Sequence, residues 1–227
     1  MKKTLIAILV SGLMAPALSF AEKGDVVVRL RVSHIAPDES SKLNSMGGSI
    51  VDGLDGSKLQ VESNTIPEID FSYYITKNIA AELILATGTR HDVNVVGENA
   101  QKLGTVNLLP PTLTAQWHFN PDQTFDPYAG AGLSYVRSMD NGLALSSDVT
   151  GTGGTQLTSG SGIHIDRNIF GPALQFGFDY NLKDKWLLNF DVKKIWLSAD
   201  VYLNPTTKID SLDIDPWVIS FGVGKKF

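Results

Sequence analysis

Cysteine is absent from all 227 residues, and the chemistry that depends on it goes too. A disulfide framework, a thiol redox motif and a zinc finger are excluded, so stability must come from strand pairing and packing. Histidine is scarce, and His34, His91, His118 and His164 lie far apart in the chain. That scatter gives no metal-ligand spacing, so neither a metal site nor a cofactor is expected. Basic runs are missing as well. With 24 acidic against 19 basic residues and a net charge of −5, the chain lacks the basic stripe that nucleic-acid binding requires. Beyond the N-terminal segment, no stretch approaches eighteen consecutive apolar residues, which excludes a membrane-spanning helix. A membrane is still open to it. A barrel strand needs only about ten residues with every second one apolar.

The N-terminal segment reads MKKTLIAILVSGLMAPALSFAEKG. Lys2 and Lys3 precede an apolar run from Leu5 to Val10, and the segment closes on Ser19, Phe20 and Ala21. This is the layout of a secretory signal peptide cleaved after residue 21. The expected organisation is therefore a leader over 1–21 and one domain over 22–227. Without Lys2 and Lys3, the exported chain is more acidic still.

What the rest contains is alternation. DVVVRLRVS sets Val26, Val28, Leu30 and Val32 against Arg29, Arg31 and Ser33; PEIDFSYYI sets Ile69, Phe71 and Tyr73 against Glu68, Asp70 and Ser72. The same period of two returns in NIAAELILATG, PPTLTAQWHF, YAGAGLSYV, FGPALQFGFDY, KWLLNFDVKKIWL and DPWVISFGVGKKF. Eight such segments predict eight strands whose two faces meet unlike surroundings. The connections TKN, NPDQTFD and NLKDK are short and turn-rich, whereas those after the first, third, fifth and seventh strands are long and polar. Four long loops at one end and three short turns at the other predict an all-β, eight-stranded antiparallel up-and-down barrel.

Periodicity alone cannot separate a soluble barrel from its inside-out counterpart. Three features favour the membrane. Tyr73, Trp117, Phe119, Phe178, Tyr180 and Trp186 gather near strand ends on the apolar face, as an interfacial girdle would. The second and fourth strands carry no charge on that face. Gly130, Gly132, Gly177 and Gly222 fall on the other one, where eight strands leave little room. The final Phe227 then belongs to the lipid-facing register at the periplasmic rim. With Trp217 and Phe221 it marks the C-terminal strand as the rim and assembly segment, read by the outer-membrane assembly machinery.

The pieces ELILAT, LPPTLTAQWHF, PYAGAGLSY, GFDYNL followed by WLLNFDV, and DPWVISFGVGKKF together resemble the OmpW family of Gram-negative outer-membrane proteins. They recur in order over most of the chain beyond the leader. The resemblance implies an outer-membrane location, lipid and lipopolysaccharide as neighbours, and a barrel that admits small hydrophobic molecules. Two departures stand out. Lys225 replaces an aromatic residue usual two positions before the terminal Phe, where it can snorkel. Gly88 stands where the family often has proline.

The inward register divides into two zones. Arg29, Arg31, Glu68, Asp70, Glu82, Asp191 and Lys193, together with Asp179, place both signs of charge low in the lumen, and an ionic plug is expected. Higher up, Ile84, Ala86, Val136, Ile195, Leu197 and Val218 predict an apolar pocket suited to a greasy solute. Because the plug opposes onward movement, a lateral gate into lipid is expected, with Gly88, Pro110, Pro111 and Pro172 as candidate ladder defects. Bulges or strand starts are the plainer reading of these prolines. No spacing of Ser, His and Asp assembles a catalytic site, and no enzyme activity is expected. The rival reading is a structural or adhesive barrel without transport, which a solid upper lumen would support.

Overall fold

The structure is a computed structural model that describes residues 22–41, 57–86, 89–97, 100–139, 143–146, 148–150, 156–157, 160, 162–203 and 207–227. The leader over 1–21 and Gly88 lie outside the described residues. Eight strands form the barrel wall: β1 (Val26–Ala36), β2 (Asn64–Tyr74), β3 (Ile79–Ala86), β4 (Thr112–His118), β5 (Phe125–Ser138), β6 (Asn168–Asn181), β7 (Trp186–Ile195) and β8 (Trp217–Lys226). Every neighbouring pair is antiparallel. The order runs from β1 to β8 and closes where β8 pairs β1, from Ala36↔Trp217 to Val27↔Lys226. Closure removes the exposed sheet edges that an open sheet would have to protect.

The alternation legible in the sequence maps onto inside and outside. Leu30, Val32, Leu113, Phe176 and Phe221 are each about 60% exposed on the outer face, and Leu133 and Phe170 more so. A continuous belt of this size would be an aggregation surface in water; in a bilayer it is the lipid-facing band. The inward residues are buried, and they need glycines to fit. A Cβ on Gly132 would lie 2.0 Å from the Leu113 carbonyl oxygen, and one on Gly177 would lie 2.5 Å from the Tyr128 hydroxyl. Close backbone approach at these points is what permits so narrow a lumen.

The chain stays in the ladder to its last residue. The Phe227 amide donates to Val26 O at 2.8 Å, and the exposed Phe227 ring lies at the rim with the short turns. Lys225 snorkels there between aromatic rings, its Nζ 5.1 Å from the centroid of Trp186 and 5.9 Å from that of Phe227. Trp217 sits at the other end of β8, opposite Ala36 and Lys194.

The four long connections carry strands of their own. Residues 58–61, 89–96 and 101–109 continue the wall upward from β2, β3 and β4, joined through Thr89↔Leu108 and Leu108↔Ser138. Residues 143–144, 162–165, 198–203 and 207–213 form a second, four-stranded sheet. Leu59, Val93, Leu103, Leu143, Ile163, Val201 and Leu212 from both groups share one apolar core. The loops thus build an apolar vestibule above the bilayer band.

Candidate functional site: a charged floor under an apolar chamber

Low in the barrel, β1 delivers two arginines side by side on the inner face. The Arg29 guanidinium is fully buried and reaches Asp70 Oδ1 at 2.9 Å, Asp179 Oδ2 at 2.5 Å and Ser72 Oγ at 2.6 Å. Arg31 Nη2 meets Asp70 Oδ2 at 2.6 Å and Glu82 Oε1 at 3.0 Å. Its Nε lies 2.8 Å from Glu68 Oε1, an ion pair too bent to count as a hydrogen bond. On the opposite wall, Lys193 pairs with Asp191.

Five carboxylates (Glu68, Asp70, Glu82, Asp179, Asp191) thus face three cations (Arg29, Arg31, Lys193), all buried. The excess of acceptors is met by neutral donors. Gln175 Nε2 bridges Glu82 and Asp191 at 2.8 and 2.7 Å, Thr114 donates to Glu82 at 2.8 Å, and Tyr128 donates to Asp191 at 2.9 Å. Asn189 donates to Asp179 at 2.8 Å. Buried charges are tolerable only when paired and hydrogen-bonded in this way. All seven residues expected in a plug lie in this network.

Beneath it lies a group that the strand pattern did not single out. His118 Nδ1 donates to Asp126 Oδ2 at 2.7 Å, and its ring lies between those of Tyr74 and Tyr128, with centroids 4.9 and 5.1 Å away. Val27, Tyr74, Ala80 and Leu187 pack as a small apolar cluster at the same end. The only sequence signal for this layer was two tyrosines and a histidine on the otherwise polar inward register.

Above the network the lumen changes character. A chamber leaves about 90 Å³ for the centres of water-sized molecules. Ile84, Ala86, Val136, Ile195, Leu197 and Val218 all line it, and the vestibule residues Leu59, Val61 and Leu103 continue the lining upward. Its floor is polar, formed by Glu68 and Lys193 with Thr112 and Ser134, whose hydroxyls bond at 3.0 Å. On the wall above, His91 donates from Nδ1 to the Glu62 carbonyl at 2.8 Å, and burial lowers its pKa below the usual imidazole value. Among the described residues, no three His, Asp or Glu side chains gather as a metal site.

Among the described residues, pairing of β3 with β4 runs as far as Ile84↔Thr112, and the next pair above is Thr89↔Leu108. Pro110 and Pro111 occupy that interval on the β4 side and have no N–H to give. Pro172 stands elsewhere, on the outer face of β6 opposite Leu133. There its carbonyl accepts from the Trp196 amide at 3.0 Å, just where β7 leaves the wall.

Comparison with known proteins agrees with this architecture. The sequence profile of the OmpW family matches residues 22–227. The uncharacterized outer-membrane protein y4mB of Sinorhizobium fredii is 36% identical over 205 residues, covering 88% of this chain and 79% of its own. Outer membrane protein W of Escherichia coli is 32% identical over 231 residues, covering 100% of this chain and 99% of its own. Among solved structures, the outer membrane protein OprG of Pseudomonas aeruginosa superimposes with a TM-score of 0.76 at 28% identity, over 92% of this chain and 98% of that one.

Proposed function

Because the chain belongs to the OmpW family of outer-membrane proteins, we propose that it admits small hydrophobic molecules from outside the cell into its apolar chamber and releases them sideways into the membrane. The observation that carries this reading is the abrupt change of lining. Apolar walls from the vestibule down to Val218 and Ile195 end on a floor of ion pairs. Such a lining repels hydrated solutes and accepts greasy ones, since burying apolar surface is favourable by about 25 cal/mol per Å². Water and ions would instead favour a polar pore, which this lumen is not.

The ionic network serves as the plug. To pass it, a solute would have to part Arg31 from Asp70 and Glu82 without offering them new partners. Pro110 and Pro111, two successive residues with no N–H to give the ladder beside Ala86, support an exit at that level. The terminal strand, with Phe221 and Phe227 facing outward, suits the segment that the assembly machinery engages.

The test is uptake of an n-alkane or a small aromatic compound into liposomes holding the full-length barrel. Ile195→Glu places a charge on the chamber wall, and uptake should fall about tenfold, the equivalent of ~1.4 kcal/mol against the solute. Folding of the variant is checked by heat-shifted mobility on gels. Uptake by wild-type barrels equal to that of protein-free liposomes would leave a structural barrel without transport as the better reading.

A further inference from the structure

The outer face near the top of β5 and β6 carries a feature that the uptake route does not use. Outward side chains on β5 run from Phe125 through Ala131, Leu133 and Tyr135 to Arg137. At ~3.3 Å per residue and a tilt of ~40°, that climb is about 30 Å, slightly more than the ~25 Å apolar band of an outer-membrane barrel. On β6 the outward series ends at Phe170 and then Asn168, and Asn168 pairs with Arg137. On both strands the first polar outward residue comes at this one level. Tyr135 fixes that level: its ring stacks on Phe170 at 4.7 Å, and its hydroxyl donates to Asn168 Oδ1 at 2.6 Å.

Arg90 joins from two strands away, on residues 89–96. It pairs with Asn107, while Arg137 pairs with Leu109, so the two arginines flank residues 107–109. They stand two strands and two residues apart, about 12 Å between Cα atoms. Both are exposed, and among the described residues neither lies within ion-pair distance of a carboxylate. The nearby acids have other partners. Asp92 accepts from Lys102 and Thr105, Glu62 from Asn94, and Asp166 from the Asp200 amide. The exposed Leu133 and Phe170 lie below Arg137, the exposed Leu109 beside it, and the exposed Met139 one step above, where its amide donates to Asn107 O.

We propose that this face is a binding site for a phosphorylated glycolipid of the outer leaflet. The two guanidinium forks take phosphate oxygens, a geometry arginine matches bidentately. The Asn107 side chain faces the saccharide between them, and the acyl chains lie along Leu133 and Phe170. Arginines left without an acid at the headgroup level, directly above an apolar strip, are complementary to a lipid whose charge and chains sit in that order. The site is on the outside of the wall and does not depend on what passes through the lumen.

The full-length barrel in nanodiscs, titrated with diphosphorylated lipid A and with its dephosphorylated form, tests this by native mass spectrometry. Wild type should hold the phosphorylated lipid at least ~10-fold more tightly, and Arg90→Gln/Arg137→Gln should lose that preference. Arg90→Lys/Arg137→Lys should keep part of it, since charge remains without the fork. If the double Gln variant fails the gel-mobility test of folding, the single Arg137→Gln should still lose about threefold. Equal retention of the two lipids by wild type, or unchanged preference in the folded Gln variants, would overturn the proposal. So would full displacement by millimolar inorganic phosphate, which would mark a free-anion site instead.

Discussion

Arg29→Ala should lower the heat resistance of the barrel by an amount the structure lets one estimate. The side chain is fully buried and holds Asp70, Asp179 and Ser72. After its removal Asp70 still has Arg31 Nη2 at 2.6 Å, whereas Asp179 loses its ion pair and keeps the neutral Asn189 amide at 2.8 Å. Removing one member of a buried pair costs roughly 3–5 kcal/mol, chiefly because the other charge is stranded. For a chain of this size each kcal/mol moves the midpoint by about 2–4 °C, so a drop of roughly 6–20 °C is expected. Heating in detergent and reading the compact-to-extended shift on gels measures it. Arg29→Ala/Asp179→Asn should recover part of the loss, because the stranded charge goes with its partner. A midpoint within 2 °C of wild type for Arg29→Ala, or a double variant weaker than the single by the full Asp179→Asn effect, would refute the pairing account.

Two further outcomes follow from the chamber. Burial holds the His91 pKa below its ordinary value of 6.5, so between those two pKa values the unfolded segment binds the proton and the folded one does not. Stability there rises with pH, and acidification below about 6.5 should loosen residues 89–96. Amide exchange of that strand at pH 7.5 and 5.5 should show the difference, and His91→Gln should flatten it; equal pH dependence in the variant would count against the mechanism. Continuing the β3–β4 register beyond Ile84↔Thr112 sets Ala86 opposite Pro110. Since the chain has no cysteine, Ala86→Cys/Pro110→Cys offers a clean staple at that level. Oxidation should block transfer of a chamber-bound solute into lipid, and reduction should restore it. Transfer that ignores the redox state would place the exit elsewhere.

The barrel was legible because each wall strand separates two solvents that could hardly differ more. A charge such as Arg31 is welcome on one face and Val32 on the other, so period two survives from rim to band. Arg29, Asp70 and Glu82 fall together low on the inward face for the same reason. The upper strands were hidden for the opposite reason. In residues 101–109, Gly104 takes a positive φ of 144° and the ladder slips opposite Val93 and Asn94, which reverses the phase beyond it. In residues 89–96 the alternation is unbroken, but the inward series opens on Thr89 and His91 before Val93 and Val95, so the segment reads as polar loop. His118 was passed over because a histidine on a polar register gives no sign that two tyrosines will enclose it.

The direction of exit is a matter of comparing two costs. A solute resting against Val218 and Ile195 has already left water, so moving on into hydrocarbon exchanges one apolar contact for another at little net change. Moving down instead means separating Arg31 from Asp70 and Glu82, buried pairs that lie 2.6 and 3.0 Å apart. At roughly 3–5 kcal/mol for one stranded charge, and a factor of ten for every ~1.4 kcal/mol, passage downward would be slower by roughly a hundred- to a few thousandfold. On the proposed route, sideways release needs only a modest opening in the wall to prevail, and the stretch around Pro110 and Pro111, where two successive residues have no N–H, offers little ladder to break.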